Sequence, residues 1–346
     1  MATLKDVARK AGLSVTQVSR ALNNHSDVSA DTRALVQRVA KSLNYQPNLS
    51  ARKLVSGRSG LVGLVVPFSA DLASDGLFLE VVAGLSTQFS ARKMQLVLHI
   101  AQDDEPVETV YSRLIGNGAL DGFVLINPMD DDPRATLLNA AGVPFVVHGR
   151  IGPAAEHPYF DIDNEGIFYE QTRHLIALGH RRIAFINGVE GRSFVTARAR
   201  GHVRALTEAG LPVDSDLIFW GEMTESLGLV STVSLFAEGG ARPTAILTGN
   251  TRIAKGVYQG LNALGLNIPE DVSVMTHDDR LANLRTEAFF PALTVSEAPL
   301  RESWPALAEC LIGALAGADA AQLRQIGTHR FIERASTARP GGSQNR

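Results

Sequence analysis

Cysteine is almost missing from this chain of 346 residues: Cys310 stands alone, so no intramolecular disulfide can form. No Cys/His cluster has metal-ligand spacing, so no structural zinc and no cofactor are expected. There is no phosphate-binding glycine loop and no recognisable nucleophile motif. His148, His277 with Asp278, and Ser193 beside Arg192 are the residues an enzyme reading would have to use, and none forms a constellation. The nine histidines read more simply as surface or satisfied core residues, and the chain is not expected to be an enzyme. Also lacking are a charged leader with a short apolar stretch behind it and any apolar run approaching the ~20 residues of a membrane span. The expected location is the cytoplasm, with no membrane partner.

Net charge is nearly absent too, at −3, but the balance hides an asymmetry. Residues 1–58 carry ten basic side chains against three acidic ones, leaving 23 and 33 for the remaining 288 residues. A basic N-terminal module on an acidic body is the electrostatic footprint of nucleic-acid binding, because phosphate neutralisation releases counterions. The length allows two or three domains with well-buried cores.

The module itself reads as helices. In TLKDVARKAGLS, Thr3 and Asp6 can cap a first helix, Leu4, Val7, Ala8 and Ala11 share a face, and Gly12 supplies the left-handed stop. In SVTQVSRAL, Ser14 and Gln17 form an S-x-x-Q capping box, with Val18, Ala21 and Leu22 as the apolar stripe. Val15, Thr16, Ser19 and Arg20 then point elsewhere. Two short amphipathic helices joined by a glycine-containing turn are the pattern of a helix-turn-helix. A third stripe of Leu35, Val36, Val39, Ala40 and Leu43 behind a Ser29 cap closes a three-helix core. Spacing alone also allows three ordinary helices at the edge of an enzyme; the charge partition favours DNA.

The next stretch, NYQPNLSARKLVSGRSG, joins the module to the rest. Pro47 ends the third helix, Asn48 can cap another, and Gly57 to Gly60 punctuate. A helix of about ten residues is too short to be stable alone in water, so this one is expected to fold only when docked. It is either a plain linker or a hinge helix that inserts leucine into a minor groove. Beyond residue 60 the texture changes. LVGLVVP, QLVLHIA, DGFVLIN and VPFVVHG read as buried strands separated by helical patterns such as FLEVVAGLSTQFSARK and VETVYSRLIG, and the alternation restarts with RRIAFING, LIFWG, TAILTG and VSVMTHDD. Two such sets imply two α/β lobes with parallel sheets, and a small molecule is expected in the cleft beyond the carboxyl ends of the strands.

The segments TLKDVARKAGLSVTQVSRALN and DVSADTRALVQRVAKSLNYQPNLSARKLVSGRSGLVGLVVP resemble the lactose-repressor (LacI/GalR) family of bacterial transcription regulators. HLIALGHRRIAFING, RARGHVRAL, PTAILTGN, AKGVYQGLNALGLNIPEDVSV and FFPALTV extend the resemblance over nearly the whole chain. It implies an all-α helix-turn-helix domain at 1–46, a hinge helix and linker at 47–59, a two-lobed α/β body similar to periplasmic sugar-binding proteins at 60–338, and a tail at 339–346. It further implies a homodimeric repressor of carbohydrate-utilisation genes on palindromic double-stranded operators, with a small-molecule effector, a sugar, between the lobes. A transported-sugar receptor would share the body, but the basic module speaks against it. The tail GGSQNR lacks apolar heptads, so a dimer rather than a tetramer is expected.

Carried over by position, Val15 and Thr16 are the base readers, Val15 and the Thr16 methyl suiting a thymine methyl and the Thr16 hydroxyl either kind of base edge. Arg20 can reach a guanine or a phosphate. Ser14, Gln17 and Ser19, with Thr3, Leu4 and Asn48, complete the DNA contacts, and Leu54 matches the leucine that enters the central base step. For the effector the resemblance points to Arg198 and Asp278, with Asn250 as a third polar contact, Arg150 at the end of VPFVVHGR, and Phe78, Phe194, Trp220 and Met223 as apolar surface, for which core roles serve equally well. The chain departs from the family's usual residues at Thr251, at Thr276-His277 and at Gly149. Those departures leave the effector open between a sugar and a nucleobase.

Overall fold

The computed structural model describes residues 2–22, 25–45, 58–68, 76–102, 105–152, 155–237 and 242–341. The chain divides into two units, 1–60 and 61–346. The first holds α1 (Leu4–Ala11), α2 (Val15–Leu22) and α3 (Ala30–Ser42). Each begins where the sequence satisfies otherwise orphaned N–H groups. Thr3 and Asp6 form a reciprocal capping box on α1, Ser14 Oγ accepts from Gln17 N at 3.2 Å while Gln17 Oε1 accepts from Ser14 N at 3.0 Å, and Ser29 caps α3. Gly12 ends α1 at φ +67°, a conformation that costs glycine nothing. Val7, Ala8, Val18, Ala21, Val36 and Ala40 meet in one small core.

The second unit consists of two lobes, each built on a six-stranded sheet. In the first lobe β1 (Leu61–Pro67), β2 (Gln95–Ala101), β3 (Gly122–Leu125), β4 (Phe145–His148) and β5 (Tyr159–Ile162) pair in parallel and are covered by α4 (Gly76–Ala91), α5 (Val107–Gly116) and α6 (Pro133–Ala140). Strand alternation divides the apolar residues between two covered faces: Val62, Leu64 and Val66 meet one core, Val65, Phe123 and Leu125 the other.

The chain crosses to the second lobe between Ile162 and Asn164. There α7 (Asn164–Leu178) and α8 (Ser193–Glu208) flank one face of β6 (Ile183–Ile186), β7 (Ile218–Phe219), β8 (Ala245–Thr248), β9 (Ser273–Asp278) and β10 (Thr294–Glu297), and α9 (Glu225–Phe236) with α10 (Thr251–Ala263) the other. After β10 the chain makes a return that the alternation in the sequence does not reveal. It re-enters the first lobe, where α11 (Ser303–Leu315) packs Trp304, Leu307 and Leu311 into the core and β11 (Arg324–Gly327) pairs with β5 as the edge strand. A third crossing brings β12 (Arg330–Ile332) antiparallel to β10. Three strands of chain thus join the lobes. Among the described residues no helix is long and apolar enough to cross a membrane.

Candidate nucleic-acid interface and ligand cleft

Burial of Val18 and Ala21 fixes which way α2 faces. Val15, Thr16 and Arg20 are exposed and Ser19 is half-buried, so the four share the outward side of the helix. Gln17 spends its carbonyl oxygen on Ser14, which leaves its amide N–H groups as donors. Thr3 is exposed but engaged in its cap, and Leu4 packs against the three-helix core. Arg20 is held by Asp27, with Nη2 2.6 Å from Oδ2. Asn48 and Leu54, and with them the hinge apart from Arg58 and Ser59, lie outside the described residues.

In the body, a chain of charge-assisted hydrogen bonds runs from one lobe to the other. Arg150 Nε donates to Asp161 Oδ2 at 2.7 Å, Asn164 Nδ2 donates to Asp161 Oδ1 at 3.0 Å, and Arg198 Nε donates to Asn164 Oδ1 at 2.9 Å. Arg198 Nη1 continues to the carbonyl oxygen of Gly249 at 2.9 Å. Arg198 is 5% exposed and lies over the rings of Phe168 and Phe194, its guanidinium carbon 5.1 and 4.8 Å from their centroids. Among the described residues no carboxylate comes within ion-pair distance of it. Burial brings its pKa down to about 10, against the fields of Asp279 and Asp161. Among the described residues, two of its five N–H groups have protein acceptors.

Asp278 and its neighbour differ. Asp278 is fully buried, Oδ1 accepting from Arg280 N at 2.8 Å and Oδ2 from Thr286 Oγ1 at 3.0 Å, and burial pushes its pKa up. Asp279, like Asp161, is a carboxylate whose field reaches Arg198 and His148. Its oxygen Oδ1 pairs with His277 Nε2 at 3.0 Å. Burial works against its charge, but His277, Arg198 and His148 outweigh that and hold its pKa down. His148, from the first lobe, is stacked near Phe160 and Trp304, and burial lowers its pKa. A cavity of about 300 Å³ borders this network, lined by Arg150, Asp161 and Asp163 on one side and Ser193, Phe194 and Arg200 on the other.

Residues 3–48 match the family described as bacterial regulatory proteins, lacI family, and residues 172–337 match the periplasmic binding protein-like domain. Over 336 residues the chain is 39% identical to the HTH-type transcriptional regulator AglR of Rhizobium meliloti (strain 1021), spanning 96% of this chain and 94% of that one. The chain belongs to the LacI family. It is also 32% identical to the regulator CelR of Thermobifida fusca, with 95% and 97% of the two chains covered. Among solved structures it is similar to the transcriptional regulator CelR–cellobiose complex (30% identity, TM-score 0.69, 97% of this chain and 100% of that one). It is similar also to the lac repressor dimer bound to operator and an anti-inducer (25%, TM-score 0.79, 97% and 99%). Like these relatives, it is a DNA-binding regulator of transcription and not an enzyme.

Of the body residues singled out from the LacI resemblance, Arg150 and Arg198 are joined by the relay and Phe194 lies under Arg198. Asn250 caps α10, its Oδ1 accepting from Ile253 N at 2.9 Å, directly after the Gly249 carbonyl that Arg198 grips. Met223 packs against the second-lobe core and Phe78 against the first-lobe core, while Trp220 is exposed after β7. The family motifs did not point to Asp161, Asn164 or Asp279. DIDNEG carried a helix-start signal in its Asp and Asn residues, but nothing local tells that Asn164 bridges an aspartate of one lobe to an arginine of the other.

A second set of contacts closes the lobes on each other. Ser193 N and Oγ both donate to the Pro128 carbonyl, at 3.0 and 3.2 Å, and Arg192 Nη1 donates to the Asn127 carbonyl at 2.8 Å. Thr196 Oγ1 adds a bond to Asp130 Oδ2 at 2.7 Å. The first-lobe side is stiffened by Arg134, which donates to Asp132 and to the Ile126 carbonyl.

Proposed function

We propose that this regulator is a homodimeric repressor of carbohydrate-utilisation genes, that it binds a palindromic operator through Val15, Thr16 and Arg20 on α2, and that a saccharide in the inter-lobe cleft sets its operator affinity. The observation that carries the effector class is Arg198. A buried guanidinium that lacks a carboxylate partner and keeps unused donors is costly, and vicinal hydroxyls are neutral acceptors with the spacing to relieve it. Asp279 supplies acceptors for the hydroxyl protons of the same ligand, and Trp220 offers an apolar ring to a sugar face. Asn250 and Arg150 flank the pair. The structure of a similar regulator with cellobiose supports a saccharide. Coupling to DNA follows from linkage: a ligand alters operator affinity only by its different affinity for two lobe arrangements, and the contacts of Ser193, Arg192 and Thr196 belong to one arrangement.

The test is a thermal-shift panel of mono- and disaccharides, cellobiose included, beside guanine and hypoxanthine. Each hit is carried into operator titrations on a duplex selected from a random pool. A saccharide should stabilise the wild type and change its operator affinity, and Arg198→Ala should bind the same duplex within a few-fold while its ligand affinity falls about tenfold or more. Stabilisation by a purine alone, or unchanged saccharide affinity in the variant, overturns the assignment.

A further inference from the structure

The turn between α2 and α3 presents a carboxylate, Asp27, to the outward face of α2. Arg20 Nε donates to Asp27 Oδ1 at 3.3 Å and Arg20 Nη2 lies 2.6 Å from Oδ2, a two-point grip that fixes the plane of the guanidinium. The two side chains are 46% and 54% exposed, and a pair so wet contributes little to stability. Yet the stretch from His25 to Ser29 that carries Asp27 is firmly built. His25 N donates to the Arg20 carbonyl at 3.1 Å, Arg33 Nη2 donates to the carbonyls of His25 at 3.0 Å and Val28 at 3.3 Å, and Ser29 Oγ accepts from Thr32 N at 3.2 Å. The acid is held where it can act on Arg20 before any DNA arrives.

Hydrogen-bond inventory shows what that grip leaves. With Nε and Nη2 turned to Asp27, Arg20 keeps, among the described residues, an end-on fork with one N–H on each Nη, and this is the edge that reads O6 and N7 of guanine in the major groove. An arginine on the same helix without a partner is equally content with a phosphate, which binds without specifying. A carboxylate close to the groove also repels phosphate, so it weakens binding to every sequence that does not supply the guanine. We propose that Asp27 is a specificity-determining positioning residue, which aims the Arg20 fork at a guanine in each half-site and keeps Arg20 off the phosphates. This rests on reading α2 as the helix that contacts bases.

The full-length protein, its Asp27→Ala, Asp27→Asn and Arg20→Ala variants are each used to select binding sites from a pool of random duplexes. Affinities for the wild-type-selected duplex and for a random duplex are then measured across salt concentrations. Arg20→Ala should lose preference for one guanine per half-site, and Asp27→Ala should lose it at the same position. Asp27→Ala should bind the random duplex more tightly than the wild type, lowering the ratio of specific to random affinity about tenfold. Asp27→Asn, which keeps an acceptor for Nε, should fall between. Selection by Asp27→Ala of the wild-type sequence with undiminished preference overturns the proposal. So does an equal loss on all duplexes, which marks Asp27 as a support of the turn and nothing more. If Arg20→Ala itself keeps every base preference, the base-reading role of Arg20 fails first, and the Asp27 proposal falls with it for that distinguishable reason.

Discussion

Adjacent aspartates have opposite environments because they sit where a strand ends. Asp278 is the last residue of β9 and turns inward, where Thr286 and the backbone of Arg280 occupy both its oxygens. One residue on, Asp279 has left the strand and meets His277 and the field of Arg198. The resemblance pointed to Asp278, whose two oxygens already have partners; the ligand acceptor proposed here is Asp279. Asp279→Asn should therefore abolish or weaken the effector response by tenfold or more while shifting the melting temperature little. Asp278→Ala should strip two buried hydrogen bonds and destabilise by about 1–3 kcal/mol. Calorimetric ligand titration and urea unfolding of the two variants separate these roles, and the reverse pattern would return Asp278 to the site. Arg198 was singled out from its place in RARGHVRAL, and the ligand role proposed for it rests on its burial and its unused donors. That its partner is Asn164, a neutral acceptor that leaves the cation unpaired, was not legible there.

Helix ends and faces were written locally, and for that reason the sequence reading found them. The caps at Thr3, Ser14 and Ser29 and the left-handed Gly12 involve residues within a few positions of each other, and they formed as the spacing required. Close helix packing is different, because it depends on which helices the fold brings together. A Cβ on Gly256 of α10 would fall on the carbonyl oxygen of Glu225 in α9, and one on Gly228 of α9 would fall on that of Ile253. The two helices meet backbone to backbone at these glycines. Gly256→Ala would gain helix propensity of about 1 kcal/mol, yet overpacking against backbone costs about 1–3 kcal/mol or more. The net expectation is destabilisation, read as a lower urea midpoint, whereas Gly116→Ala, with open space around it, should not destabilise. A Gly256→Ala protein as stable as the wild type would show that the helices can part at little cost.

At the scale of the whole molecule, buried neutral histidine makes stability depend on pH. His202 sits between α7 and the second-lobe sheet, its Nδ1 3.0 Å from Thr172 Oγ1 and its ring 5.0 Å from that of Phe185. Thr172 gives its own proton to the Phe168 carbonyl, so it accepts from His202 and sets the Nδ1–H tautomer. Burial lowers the pKa of His202 to about 4. The unfolded chain takes up a proton near the ordinary value of about 6.5 while the folded protein does not. Its contribution is thus intact above about pH 6.5 and is lost as pH falls toward 4, at up to about 1.4 kcal/mol per pH unit. His157 in the first lobe, lowered to about 4 by burial and then by Arg324, acts in the same direction. Urea unfolding between pH 7 and 4.5 should show the decline, with a shallower slope in His202→Gln. An unchanged slope would mean that His202 protonates without leaving its pocket.

What the sequence determined by itself is whatever a short window can encode: the capped helices of the basic unit, the buried strands, the restart that makes two lobes, and the charge partition that sends one end of the chain to DNA. Tertiary structure alone decided that the chain crosses between lobes three times, because α11 and β11 carry no local mark of the lobe to which they return; the apolar face of α11 fits the first-lobe core and β11 pairs with β5, and only assembly shows it. It also decided the cleft. Asp161, Asn164, Arg198 and Asp279 are scattered over more than a hundred positions and acquire a common chemistry only when two sheets bring them within hydrogen-bond and Coulomb range of one another. Desolvation then gives an ordinary arginine and an ordinary aspartate the stakes that a ligand can relieve, and desolvation is a property of the assembled molecule, not of any segment of the chain.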